Sequence, residues 1–321
     1  MACRVVGLAL STIVAVGSLG PDLAAQCSRW QRIEPSAPTP TQWFTAVAYG
    51  GGRFLVTDGQ ELFTSADGWQ WDEVVCTMSP GECMIARRIE AAVWNGSEFI
   101  AIGNSGLDRV YRISGDRLEI AGDCPGTWYR ALAFNGSSYV AVGDYSTATS
   151  PDAGSWEQRW NPEVVCSCVS EIVRLSSVTW AGSRWIAVGD VSCAGVILSG
   201  SDSATWHLQL VASADLRSVA SDGARTVIVG GASMVSSDGV SWDAITDLPA
   251  GMLTVEWTGA LFLAVGVGGA IFASEDGVSW DQVGTTNGCV ESLAAGGETV
   301  IAVGQQTMSR FDPTHGWRDL V

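Results

Sequence analysis

The chain has 321 residues, 47% of them apolar, enough material for a sizeable core in one large or two smaller domains. Its formal charge at neutral pH is −17 and all 17 basic residues are arginine; a chain this acidic repels phosphate backbones, so nucleic acid is not an expected partner. Long helical periodicity is absent, and 38 glycines with 15 tryptophans point to many short strands joined by tight turns.

Residues 1–25 read as a cleaved export signal. Arg4 gives the positive start, Val5 to Leu19 is apolar and uncharged, Pro21 breaks the run, and Leu23-Ala24-Ala25 offers small residues for cleavage. The run is short for a bilayer span, and no later segment is long and apolar enough to cross. A secreted or periplasmic protein with no integral membrane segment after signal removal is therefore expected. Eight cysteines follow the signal: Cys27, Cys76, Cys83, Cys124, Cys166, Cys168, Cys193 and Cys289. An even count in an exported chain suggests disulfides. Two histidines and no Cys-x-x-Cys spacing argue against a metal site, and no cofactor is expected.

From residue 26 onward one phrase recurs: an apolar stretch, a turn, then a hydrophobic run ending in glycine. It reads Phe99-Ile-Ala-Ile-Gly103, Tyr139-Val-Ala-Val-Gly143, Trp185-Ile-Ala-Val-Gly189, Val227-Ile-Val-Gly230, Phe262-Leu-Ala-Val-Gly266 and Val300-Ile-Ala-Val-Gly304, with a degenerate first copy at Phe54-Leu-Val-Thr-Asp58. The spacing suits a four-stranded propeller blade. The expected fold is all-β: a single seven-bladed β-propeller of four-stranded antiparallel blades, with blades at about 43–76, 88–122, 129–163, 175–211, 217–248, 252–284 and 290–320. In each, strand A is a run such as Ala131-Leu-Ala-Phe134. A tight turn such as Asn95-Gly96 or Asn135-Gly136 follows. Strand B is the recurring phrase, strand C a run such as Gly269-Ala-Ile-Phe272, and strand D carries a tryptophan. Both Trp30 and Trp317 begin D-like segments; the Trp317 segment is expected to complete blade 7.

The C–D turns hold the most specific pattern. They read Ser65-Ala-Asp67-Gly68-Trp-Gln-Trp71, Ser236-Ser-Asp238-Gly239-Val-Ser-Trp242 and Ser274-Glu-Asp276-Gly277-Val-Ser-Trp280, with a variant at Ser150-Pro-Asp152-Ala-Gly154-Ser-Trp156 and eroded copies around Asp116, Asp202 and Asp312. These resemble the Asp-box, or bacterial neuraminidase repeat, over almost the whole chain after the signal. The aspartates tempt a catalytic or metal-binding reading. A Ser and an Asp two residues apart can instead accept the backbone N–H groups of their own turn, with glycine supplying the backbone angle that closes it. In the family this turn lies away from the ligand. The two Asn-Gly-Ser sequons fall in A–B turns and read first as turns.

Up-and-down blades place A–B and C–D turns on one face and B–C and D–A loops on the other. The first face is plain. The second carries the long loops, from Cys76 to about Arg88, from about Asn161 to Arg174 and from Asp190 to Ala194, and most of the cysteines. Cys76 and Cys83 share a loop and are expected to pair. Cys193 is expected to take Cys166 or Cys168, the other of those to take Cys124, and Cys27 with Cys289 is left by elimination. Residues leading into strand A should border the channel mouth: Arg88, Glu90, Trp128, Tyr129, Arg130, Arg174, Arg217 and Glu291. Of these, Arg88, Trp128, Arg130, Arg174 and Arg217 are the candidate binding residues.

No nucleophile, base and orienting group can be assembled from the motifs, and histidine is scarce for general-base work. The chain is similar to exported photosystem II stability and assembly factors and to sialidase-like propellers. The first likeness implies a non-catalytic binding or assembly scaffold using the B–C/D–A loop face, with an unknown protein or glycan ligand. The second is the alternative, a sialidase-like or other glycan-acting enzyme. Against it, a sialidase needs an early Arg-Ile-Pro motif where this chain has Gln31-Arg32-Ile33-Glu34-Pro35, and a Tyr–Glu nucleophile pair that no pattern here supplies.

Overall fold

The computed structural model describes residues 44–58, 61–76, 89–103, 109–126, 128–161, 163–166, 169–192, 194–286, 288–305, 307–312 and 316–320. They form seven blades of four antiparallel strands in a ring, a seven-bladed β-propeller. The inner strands, one per blade, are Ala46–Gly50, Ile89–Trp94, Tyr129–Phe134, Arg174–Trp180, Leu216–Ser221, Met252–Trp257 and Cys289–Gly296. Each pairs with the next strand in sequence, and the blades run outward in chain order. Between blades 3 and 4 the chain adds a hairpin, Glu163–Cys166 with Val169–Ile172.

The hydrophobic phrase makes the second strand of each blade. A blade is sandwiched between two others, so both faces of this strand are covered. It therefore reads as a continuous apolar run instead of alternating. Phe99–Gly103, Tyr139–Gly143, Thr226–Gly230 and Phe262–Gly266 are buried at every position. The core is thus a series of inter-blade layers. One joins Ile100, Ile102 and Val110 of blade 2 to Leu132, Tyr139 and Ala141 of blade 3.

The glycine ending the phrase has its own cause. In six blades the inner strand carries a bulge near its start, at Glu90, Arg130, Ser176, Arg217, Leu253 and Glu291. The extra residue brings an inner-strand carbonyl onto the second strand. A Cβ at Gly143 would lie 2.2 Å from the Trp128 carbonyl oxygen, and one at Gly189 would lie 1.9 Å from that of Arg174.

The Ser-x-Asp turns are self-contained. Ser65 Oγ accepts from Gly68 N (2.8 Å), while Asp67 Oδ1 accepts from Trp69 N (2.8 Å) and Gln70 N (2.9 Å). Asp238 and Asp276 repeat the pattern with Ser236 and Ser274, and Asp152 keeps the carboxylate half of it. Asp202, in a turn whose sequence is eroded, still accepts from Ala204 N and Thr205 N. Gly68, Gly239 and Gly277 have positive φ, and Trp71 and Trp280 are buried behind their turns while Trp242 packs against the layer between blades 4 and 5. The sequon residues Asn95 and Asn135 likewise accept backbone N–H groups within their A–B turns.

Blade 7 ends with the strand Gly316–Asp319, so the Trp317 segment completes it; the Trp30 segment lies outside the described residues. All four strands of blade 1 and all four of blade 7 are contiguous in sequence, so the ring closes by packing. Phe44, Phe54, Val56 and Trp71 of blade 1 interleave with Ile301, Val303 and Met308 of blade 7. Arg310 crosses the seam, its Nε donating to the Asp67 carbonyl at 2.9 Å and its guanidinium lying 4.7 Å from the Trp69 ring centre.

Cys76 is disulfide-bonded. Cys124 is buried at the foot of the blade 2–3 layer. Cys289 carries no disulfide among the described residues, and the Cys27 expected to pair with it by elimination lies outside them. Cys27, Cys83, Cys168 and Cys193, and the side chain of Cys166, lie outside the described residues. No helix among the described residues is long and apolar enough to cross a membrane.

Candidate functional site

The seven inner strands enclose a channel of about 660 Å³. Their free edges present backbone groups to it, and hydroxyls from adjacent blades satisfy several of these. Thr45 Oγ1 donates to the Ile89 carbonyl (2.7 Å), Val47 N donates to Ser292 Oγ (3.3 Å), Val219 N to Ser177 Oγ (3.2 Å), and Val255 N to Ser218 Oγ (3.1 Å). The small polar residues of strand A are therefore wall mortar between blades.

At the loop-face end the wall turns charged. The bulge residues lie at one level around the mouth: Glu90, Arg130, Ser176, Arg217, Leu253 and Glu291, with Thr45 at the matching place in blade 1. The bulge aims these side chains at the opening. Arg130 and Arg217 thus line the channel, as do Glu90 and Glu291. Arg174 does not. The bulge of blade 4 falls at Ser176, and Arg174 sits two residues earlier, on the rim outside the channel lining. Tyr129 is also displaced from the mouth: it is buried in the blade 2–3 layer and donates its hydroxyl to the Pro125 carbonyl. Arg88 lies outside the described residues.

Each of the three described arginines is matched with an aspartate of its own blade. Arg130 Nε meets Asp144 Oδ1 at 2.5 Å, Arg174 meets Asp190 at 2.9 Å, and Arg217 meets Asp215 at 2.9 Å. The hydrogen bond from Arg130 to Asp144 raises the guanidinium pKa further, helped by the charges of Glu90 and Asp190. These arginine side chains are about half exposed, so each pair is a screened surface contact worth about 0–1 kcal/mol. With Glu90 and Glu291 added, three arginines share the rim with five carboxylates. The mouth is a lattice of both signs with an excess of negative charge, a feature that counting arginines alone does not reveal. The aspartates follow the phrase glycines at Gly143 and Gly189, and that spacing is the signal from which they could be found.

Beside Arg130 two aromatic side chains stand out. Trp128 is 51% exposed and Tyr145 44%. Trp128 has φ +65°, one of two non-glycine residues in this region of backbone space among the described residues. Its carbonyl is fixed by Asp144 N (3.1 Å), and the Tyr145 carbonyl by Asn161 N (2.9 Å). Asn161 is buried, its Nδ2 donating to the carbonyls of Gly143 (2.8 Å) and Val173 (2.7 Å). A rigid set of main-chain contacts thus holds two exposed rings beside the channel mouth.

The rim geometry departs from a sialidase centre. Its arginines are spread over blades 3, 4 and 5, each on its own aspartate, and no tyrosine stands in the ring of bulge residues.

No protein-family model matches the chain, and no curated protein matches it in sequence. Solved structures of the same fold do. YCF48 bound to D1 peptide superposes with a TM-score of 0.62 at 16% identity, covering 86% of this chain and 93% of that one. YCF48 from Cyanidioschyzon merolae gives 0.60 at 15% identity, covering 87% and 98%. The computationally designed Ika8 protein gives 0.59 at 11% identity, covering 87% and 86%. At these identities the likeness establishes the seven-bladed propeller.

Proposed function

We propose that this is an exported, non-catalytic scaffold that captures a polypeptide segment across the loop face of the propeller. The observation that carries the reading is the rim itself: exposed Trp128 and Tyr145, held by main-chain contacts, stand beside a mouth where arginines paired with aspartates share the ring with Glu90 and Glu291. Exposed aromatic anchors next to charge pairs of both signs suit a chain with mixed side chains and free backbone groups. The excess of carboxylates disfavours an anionic sugar, so a protein segment is preferred to a glycan. The fold is shared with YCF48, one structure of which is bound to D1 peptide. Export is supported by the signal-like residues 1–25 and by the disulfide at Cys76. Of the sequence candidates, Trp128, Arg130 and Arg217 are central to this proposal, Arg174 contributes from the rim, and Arg88 is retained on sequence grounds.

The test is selection of binding peptides from a displayed random library, followed by affinity measurement on wild type, Trp128→Ala, and Arg130→Glu combined with Arg217→Glu. Two charge-assisted contacts at roughly 1.5–3 kcal/mol each predict a loss well beyond tenfold for the double variant. Equal affinity in all three proteins would refute the site. Turnover in a fluorogenic glycosidase panel that disappears in the double variant would replace the scaffold with the enzyme reading.

A further inference from the structure

The opposite end of the channel is built differently. Where the inner strands run into their A–B turns, five of the seven carry an aromatic residue at the end or one residue short of it: Tyr49, Trp94, Phe134, Trp180 and Trp257. Each packs on the first aromatic residue of the strand beside it, with ring centres 4.4–5.1 Å apart. Each also remains partly exposed on the channel. Trp94 lies against Gly50 and Gly51, and Tyr49 against Gly296, so the rings lean from blade to blade. Ser221 and Ala295 take the aromatic position in blades 5 and 7.

One residue earlier in each strand, about 3.4 Å along it, the wall is made of Ala48, Val93, Ala133, Thr179, Ala220 and Ala294. Blade 6 alone places a charge here, Glu256. It has no hydrogen-bond or ion-pair partner among the described residues. The flanking inner strands bring Arg217, Cys289 and Glu291 as their titratable groups, all at the far, loop-face end, and the neighbouring strand Phe262–Gly266 brings none. Glu256 is half-buried on the channel wall, and desolvation by the surrounding protein pushes it up to about 8. A carboxyl on a channel wall with no basic side chain at its level is completed by a cation entering the channel. The chain contains no lysine, so it has no side-chain ammonium of its own to offer.

We propose that Glu256 and the aromatic girdle form a binding site for an organic ammonium ion inside the channel. The carboxylate supplies the counter-charge and hydrogen bonds, and the ring faces accept the alkylammonium by cation–π attraction. Carboxylate and π faces together select an organic cation over a neutral or anionic ligand of the same shape. The acidic protein as a whole concentrates cations around it. Binding needs Glu256 ionised, so a bound ammonium displaces the proton, and affinity should climb about tenfold per pH unit up to about 8 and then level off. This site is independent of the loop-face proposal, lying at the other end of the channel.

The experiment is calorimetric titration of the full exported protein with butylammonium and with choline at pH 6, 7, 8 and 9, with butanol and butyrate as controls, repeated on Glu256→Gln. Wild type should bind one or both ammonium ions, with affinity rising from pH 6 to 8, and neither control. Preference for butylammonium would identify a lysine-like primary amine as the ligand class, and preference for choline a quaternary one. Glu256→Gln should lose at least tenfold in affinity at pH 8 and lose the pH dependence. No ammonium binding, pH-independent binding by wild type, or equal binding of butanol would overturn the proposal. The wild-type pH series and the controls decide it even if the variant does not fold.

Discussion

Among the described residues, the seam between blades 7 and 1 is the one junction of the ring that the chain does not also cross, so a defect there opens the circle. Arg310→Met is the sharpest probe. Arg310 is 8% exposed. Its Nε bonds the Asp67 carbonyl at 2.9 Å, an Nη donates to Thr299 Oγ1 at 3.1 Å, and the guanidinium covers Trp69. Methionine keeps an apolar stem against Ile301 and Gly68 but gives up the charge-assisted bonds and the ring contact. The cross-blade hydrogen bond is worth about 1.5–3 kcal/mol and the cation–π contact about 1 kcal/mol. Asp67 is exposed and rehydrates, so the net loss should be about 3 kcal/mol. An unfolding entropy of ~2.1 cal/mol/K per residue gives ~0.6 kcal/mol/K for a propeller of this size, so Tm should fall by about 5 °C in scanning calorimetry. Amide exchange should quicken in blades 1 and 7 before the others. A matched control exists: Arg112 Nη2 donates to the Asp152 carbonyl at 3.1 Å across the blade 2–3 junction, which the chain itself spans. Arg112→Met should cost less. An unchanged Tm for Arg310→Met, or an equal fall for both variants, would refute the view that closure is the weak seam.

Asp238 is held down to about 2, below its ordinary 3.8, mainly by the backbone N–H groups of Ser241 and Val240. A folded pKa below the unfolded one stabilises above pH ~4 and is lost as pH falls toward 2. Asp238→Asn should therefore flatten the fall of Tm over that window, and Tm–pH curves that run parallel to wild type would contradict it. Truncation after Arg310 removes the Gly316–Asp319 strand together with buried Phe311. It should be strongly destabilising, and a truncated protein with unchanged Tm would show that the last strand is dispensable.

The fold was legible because its signals repeat. One hydrophobic phrase and one turn pattern, each needing the same packing, recur at blade spacing, and an error in a single copy is outvoted by the rest. The Val-Gly ending even encodes a feature of another strand, since Gly143 and Gly189 leave room for bulged inner-strand carbonyls. The mouth was half legible. Arg130 and Arg217 reach the channel because each is the bulge residue, one past the buried start of its strand. Arg174 fails by two residues, and only the register shift at Ser176 reveals it. The aspartates opposite the arginines were hidden because pairing is a matter of three dimensions: Asp144 lies 14 residues from Arg130, with a whole strand between. Glu256 was hidden in plain view. In the sequence it is one carboxylate among 34 acidic residues, and its isolation appears only when six other blades place apolar or hydroxyl groups at its level.

Trp128 joins strain to function, and the two can be separated. A left-handed backbone costs a non-glycine residue about 1–2 kcal/mol, and the Trp128 carbonyl lies close against Gly143. If position 128 served stability alone, glycine would be the better occupant. Trp128→Gly and Trp128→Ala remove the same half-exposed ring, but alanine keeps the strain while glycine releases it. The glycine variant recovers that strain and gives back about 0.5–1 kcal/mol through its looser unfolded chain. It should therefore be more stable than the alanine variant by up to about 1 kcal/mol in denaturant titrations. Binding of a selected peptide should be lost equally in both, because both lack the ring. Glycine stabilising without loss of binding would mean that the tryptophan is incidental. Alanine matching glycine in stability would mean that the backbone at 128 is not strained. Loss of binding in both variants, with glycine the more stable, is the outcome expected of a residue kept at a cost to the fold for what its ring touches.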